Sequence, residues 1–119
     1  MTMNDIFSFI NAIRPNMDQE RLWGLYEEAI YHLEEKIRQE VLHLDVKFDH
    51  KNLALPTPYD DVYWTYIMSM IHLEDGRIEV YREYRKQFEE AWENLCRQVF
   101  LQKEAFRLAP WFPNGEEGT

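Results

Sequence analysis

The sequence predicts an all-α protein. It is expected to form a small bundle of about four helices, one short at the N-terminus, two long and one of intermediate length, with an irregular loop between the second and third. Three observations predict this. Apolar residues recur at three- and four-residue steps over most of the 119 residues. Breakers are few, with 4 glycines and 5 prolines in the chain. Apolar types make up 45% of the composition, enough for one modest core and against general disorder. Residues 1–109 are read as a single helical domain. Residues 110–119 are read as a partly disordered tail, in which prolines flank Trp111 and Phe112 ahead of glycine and acid.

From Asn4 to Arg14, Ile6, Phe7, Ile10 and Ile13 mark one face of a short amphipathic helix that Pro15 ends. Asn16 or Asp18 then supplies a side-chain oxygen to cap a second helix, and Asp18 and Glu20 suit the positive end of its dipole. Behind that cap, Leu22, Tyr26, Ala29/Ile30, Leu33, Ile37, Val41 and Leu44 form one continuous stripe. The opposite face, Glu27, Glu34, Glu35, Arg38 and Gln39, is expected to be solvated.

Asp45 to Leu55 breaks the period. Val46 and Phe48 alternate with Lys47 and Asp49, which predicts a loop with at most a short strand. Thr57-Pro58-Tyr59-Asp60 then reads as a helix start, with Thr57 as the capping hydroxyl and proline at the first helical position. Beyond it, helical period holds from Tyr59 to Val99. A single straight helix over that span would reach about 60 Å, longer than a domain of this size is wide. Asp75-Gly76 is the one breaker, so a turn belongs there.

Charge narrows the function classes. Lysine and arginine number 13 against 22 aspartates and glutamates, a formal charge of -9, and the sequence pI is about 4.8. No basic patch forms, which argues against DNA or an anionic membrane as partner. The single cysteine, Cys96, cannot form an intrachain disulfide. With no signal peptide and no long apolar run, the chain reads as cytosolic.

Catalytic constellations are not found. Glu40-Val-Leu-His43 has the Glu-x-x-His spacing of di-iron helices, but that chemistry needs a second such motif and two more glutamates. His72 reads as a packed histidine, and Cys96, in mid-helix, lacks the base and oxyanion pocket of a nucleophile. No catalytic, cofactor-binding or metal-ligating residue is therefore predicted. The aromatic rows Tyr59, Tyr63, Trp64, Tyr66 and Tyr81, Tyr84, Trp92 exceed what one small bundle encloses, and their types favour contacts where a ring is buried and its polar tip stays wet; Tyr59, Tyr63, Trp64 and Tyr66 are taken as the contact row. Together with Trp111 and Phe112 they are the candidate subunit or partner contacts.

Several of these residues also carry a resemblance. Leu53 to Pro56 reads Leu-x-x-Pro, Tyr59 to Tyr66 reads Tyr-Asp-Asp-Val-Tyr-x-x-Tyr, Ile71 to Gly76 reads Ile-x-Leu-x-x-Gly, and Tyr81 to Phe88 reads Tyr-x-x-Tyr-x-x-x-Phe. After an N-terminal helix pair and a variable loop, this order resembles the head-tail connector (adaptor) proteins of tailed phages and prophages. The similarity is best over Leu53 to Ala91 and weaker over Asp18 to Leu44. The chain departs from the family at Arg82, Glu83, Arg85 and Lys86, where asparagine and small residues are usual, and after Phe100.

The resemblance implies an all-α, non-enzymatic structural subunit without cofactors. Such a subunit self-associates into a ring beneath a portal, contacts portal and tail or stopper proteins, and lets DNA pass without binding it specifically. Its place would be the host cytoplasm during assembly and then the virion neck. The alternative expectation is a small acidic inhibitor or immunity-like protein. Asp60/Asp61 and the Glu27, Glu34, Glu35 face would then meet a basic enzyme or toxin.

Overall fold

The computed structural model describes residues 1–15 and 18–101. These form α1 (Met3–Ile13), α2 (Gln19–Lys36) continuing into a π turn at Ile37–Val41, a 3₁₀ turn at Thr57–Tyr59, α3 (Asp61–Glu74) and α4 (Ile78–Leu101). The fold is the expected small all-α bundle, with no strand among the described residues.

α3 is the central element. Its buried residues, from Val62 and Tyr63 through Thr65, Ile67, Met68 and Ser69 to His72, lie all round the helix, as they must when neighbours cover more than one side. α2 runs antiparallel along one side of it: Tyr26 near the start of α2 bonds Glu74 at the end of α3, whereas Glu34 meets Tyr63 at the start. α4 returns antiparallel along another side, burying Phe88, Ala91 and Leu95. α1 buries Met3, Ile6, Phe7 and Ile10 against the same core.

Each helix end has a local cause. Thr2 and Asp5 form a reciprocal capping box at α1: the Thr2 amide donates to Asp5 Oδ2 at 2.8 Å, and the Asp5 amide to Thr2 Oγ1 at 3.3 Å. Asp18 caps α2 by accepting from the Glu20 amide at 2.8 Å, as one of the two expected caps; Asn16 lies outside the described residues. At the end of α3, Gly76 takes φ 75°, the Gly76 amide donates to Leu73 O at 3.1 Å and the Arg77 amide to His72 O at 2.9 Å. That is a Schellman motif with glycine in the left-handed position, and it produces the turn expected at Asp75-Gly76.

Two expectations need correction, while Asp45 to Leu55 is the expected loop without its optional strand. The helix is not continuous to Leu44: at the π turn the Leu42 amide bonds Ile37 O at 2.9 Å, His43 adopts φ 54°, and the chain leaves the helix axis there. Thr57 does not cap α3. Pro56 precedes a 3₁₀ turn closed by the Tyr59 amide on Pro56 O and the Asp60 amide on Thr57 O, and α3 follows from Asp60 with no side-chain cap. Val46 and Phe48 form no strand. The extended pairing lies further on, where Thr2 and Asn52 bridge antiparallel through Met3 N to Lys51 O and Leu53 N to Met1 O, both 3.0 Å. The partner strand was the chain's own N-terminus, which alternation in the loop does not announce.

Candidate functional site

Two regions stand out chemically: a buried polar knot beneath the loop 42–56, and an aromatic seam along α3. The knot is built on Glu34 and Arg38, one turn apart on α2 and its π turn. Gln39 is exposed as expected and Glu27 and Glu35 are half-buried, but Glu34 is 0% exposed and Arg38 4%, which overturns the expected place of these two on the solvated face. The reason is positional. Both residues border the apolar stripe of Ile30, Leu33 and Ile37, and the loop folds over that border.

Glu34 Oε1 accepts from Arg38 Nε at 3.0 Å and from the Ala54 amide at 2.5 Å, while its Oε2 accepts from the Tyr63 hydroxyl at 2.8 Å. Tyr63 in turn accepts from the Leu55 amide at 3.1 Å. Arg38 spends its remaining donors on loop carbonyls, Nη1 to Val46 O at 3.2 Å and Nη2 to Asn52 O at 2.9 Å. Burial pushes the Glu34 carboxyl up, and Tyr63, the Ala54 amide and Arg38 pull against it. Burial likewise holds the Tyr63 phenol well above its ordinary value, reinforced by the neighbouring Glu34. Every polar group here is satisfied by the chain itself, so the knot fixes a loop and leaves no donor or acceptor for a substrate.

This result moves Tyr63 out of the candidate contacts, because its ring is fully buried at 0%. Tyr59, Trp64 and Tyr66 remain half-buried. Trp64 and Tyr66 are about 160° apart around α3 at about 100° per residue, so they lie on opposite edges of its seam with α4. Trp64 packs against Phe9 of α1 at 5.2 Å and edge-on to Tyr84 of α4 at 6.4 Å between ring centres; Tyr66 packs on Phe88 at 5.2 Å.

Between those edges lie Thr65, Ser69 and His72. The two hydroxyls bond back to Asp61 O and Tyr66 O within α3, and the His72 ring stacks on Tyr84 at 5.4 Å and 3°. Trp64 and Tyr66 thus do not converge on one patch; they flank α4. Trp111 and Phe112 lie outside the described residues.

The motifs considered for chemistry are also placed. Glu40 and His43 are both exposed at the π turn. Among the described residues no group of three or more His, Cys, Asp or Glu is arranged to hold a metal ion. Cys96 is half-buried on α4, and burial pushes its thiol up. None of the described helices is long and apolar enough to cross a membrane.

Sequence reasoning missed Glu34 and Arg38 as interior residues. The available signal was an i, i+4 acid and base pair bordering an apolar stripe beside a loop of otherwise unassigned amides. No family model, curated protein or solved structure matches the chain.

Proposed function

We propose that the chain is a structural subunit of the head-tail connector of a tailed phage or prophage, assembling as a ring under the portal and joining it to the tail or stopper. The supporting observation is how the residues of the resemblance are used. From Leu53 to Ala91 they build one unit: Leu53 and Leu55 buried, Tyr63 holding the loop, Gly76 turning the hairpin, and Tyr59 on the 3₁₀ turn, Tyr66 on α3 and Tyr81 and Tyr84 on α4 half-exposed. Aromatic rings partly covered within a subunit are suited to complete their burial against a neighbour. On this reading the protein has no enzymatic activity and needs no cofactor. Its acidic surface holds DNA weakly as it slides past, and it works in the host cytoplasm and then in the virion neck.

The test is to mix the purified chain with the portal protein of the same genome and image the product by electron microscopy. A ring of added density beneath the portal is expected. Trp64→Ala should impair that assembly with little loss of helix, and so should Trp111→Ala. No complex with the portal would overturn the reading.

A second reading, an acidic inhibitor of a basic enzyme or toxin, draws on Asp60 and Asp61. They sit side by side and half-buried at the head of α3, where burial and then Asp60 raise the Asp61 carboxyl. It loses Glu34, which is inside the knot. Reversing both aspartates should slow association with such a partner in a salt-dependent way.

A further inference from the structure

The face of α4 turned away from α3 is ordered by charge along its length. Arg82, Lys86, Glu89 and Glu93 are all exposed. At about 100° per residue, these four and the two apolar residues Ile78 and Phe100 fall within an arc of about 80°. The six residues of this stripe run apolar, basic, acidic, apolar, with the exposed Glu79 and Arg97 about 20° beyond the arc, and the ends are open to solvent, with Ile78 44% and Phe100 83% exposed. One ion pair within the helix, Arg85 to Glu89 at 3.6 Å, takes up part of the charge and leaves Glu89 64% exposed. From Ile78 to Glu93 the steps are four, four, three and four residues, those of a helix-pairing seam, and Phe100 lies seven residues further on.

We infer that this stripe is the interface of a homodimer in which two copies pair α4 antiparallel across a twofold axis. That register sets Arg82 against Glu93 of the second copy and Lys86 against its Glu89, and the axis repeats both pairs. Phe100 then lies over the second copy's Asp75-Gly76 turn, about one helical turn past Ile78, and its exposed ring is covered there.

The alternatives use the charges less well. Parallel helices in register set like against like. A parallel shift that matches basic to acidic leaves one end of each copy unmatched and continues as an open filament. Exposed ion pairs contribute little each, so charge fixes the register while the apolar ends supply most of the buried area. The dimer does not rest on the connector reading; a twofold pair is not a ring contact, and this is the form of the free protein before assembly.

The test is sedimentation velocity on the purified full chain and on two double variants, Arg82→Glu/Lys86→Glu and Glu89→Lys/Glu93→Lys. The wild type should dimerise, and each double variant should raise the dimer dissociation constant about tenfold or more, since four attractive cross-pairs become repulsive. Mixed together, the two variants should form a heterodimer, because one face is then wholly acidic and the other wholly basic. Phe100→Ser should weaken the wild-type dimer without touching the charges. A wild type that stays monomeric at its highest soluble concentration overturns the inference. So does a dimer that both variants leave intact, or a pair of variants that fails to associate on mixing while circular dichroism shows their helices in place.

Discussion

The loop under α2 and the α3–α4 hairpin are held by opposite means. The loop has little regular structure, and its backbone is fastened through a few polar atoms: four loop groups, the carbonyls of Val46, Lys47 and Asn52 and the Ala54 amide, bond Arg38 or Glu34 directly, and Leu55 does so through Tyr63. The hairpin rests chiefly on apolar contact. It is joined by Phe88, Ala91 and Leu95 in the interior, by rings along its seam, and by one glycine turn. Apolar area is non-directional and survives small changes, whereas a buried ion pair is costly to desolvate and fails when one partner is removed. The less regular region should therefore be the more sensitive one.

Glu34→Ala is the strongest way to break that contrast. It leaves Arg38 buried without its carboxylate and the Ala54 amide without an acceptor, and should cost about 3–5 kcal/mol in denaturant unfolding. Hydrogen exchange should show the Phe48, Ala54 and Leu55 amides losing protection before those of α3 and α4; simultaneous loss would mean the two regions are one cooperative unit. Tyr63→Phe is milder, since it removes one donor to Glu34 and the acceptor for the Leu55 amide while keeping the ring. About 1–3 kcal/mol is expected, again with loop amides affected first.

How much of this could be read beforehand follows the same division. The hairpin was legible because its signals are local: period, a lone glycine and the acid before it all lie within the segment they organise. The capping box at Thr2 was equally local and was overlooked. The knot was not legible, because Glu34 and Arg38 are surface-type residues on an amphipathic helix, and only the loop's path, set by pairing with residues 1–3, brings carbonyls and amides onto them. The partner surface was read least well. Tyr63 looked like a contact and is a core residue, since aromatic type alone does not say which side of a helix a distant loop will cover.

Gly76→Ala tests the hairpin side. At φ 75° an alanine is strained although nothing crowds its Cβ, so about 1 kcal/mol is expected. The loss should appear as earlier exchange at the α3–α4 turn and leave the loop amides protected. Equal loss in both regions would remove the distinction drawn above.

Acidification separates the two regions by smaller amounts and at different pH. On the hairpin, burial lowers the His72 pKa, helped by Arg14 and Arg77 and opposed by Asp75. The unfolded chain therefore takes up this proton first. His72 contributes its stability above about pH 6.5, the ordinary histidine value, and loses it as pH falls below that. In the loop, Asp49 accepts from the amides of Lys51 and Asn52 at 2.9 and 2.7 Å, which lowers its carboxyl chiefly through Asn52. Its contribution is present above about pH 4 and fades only below. Glu34, raised by burial, works the other way: as pH falls towards the ordinary glutamate value the fold takes up this proton first and gains stability, and the gain is complete by about pH 4.5, before the second loss begins. Urea midpoints measured from pH 7 down to 3 should therefore fall in two stages. His72→Gln should flatten the first stage alone, and Asp49→Asn should reduce only the second, to which Asp75, lowered by Arg14, and Asp5, lowered by Thr2, also contribute. A single stage that both variants reduce would mean that protonation at either place is felt by the whole bundle, and that knot and hairpin differ in construction but not in independence.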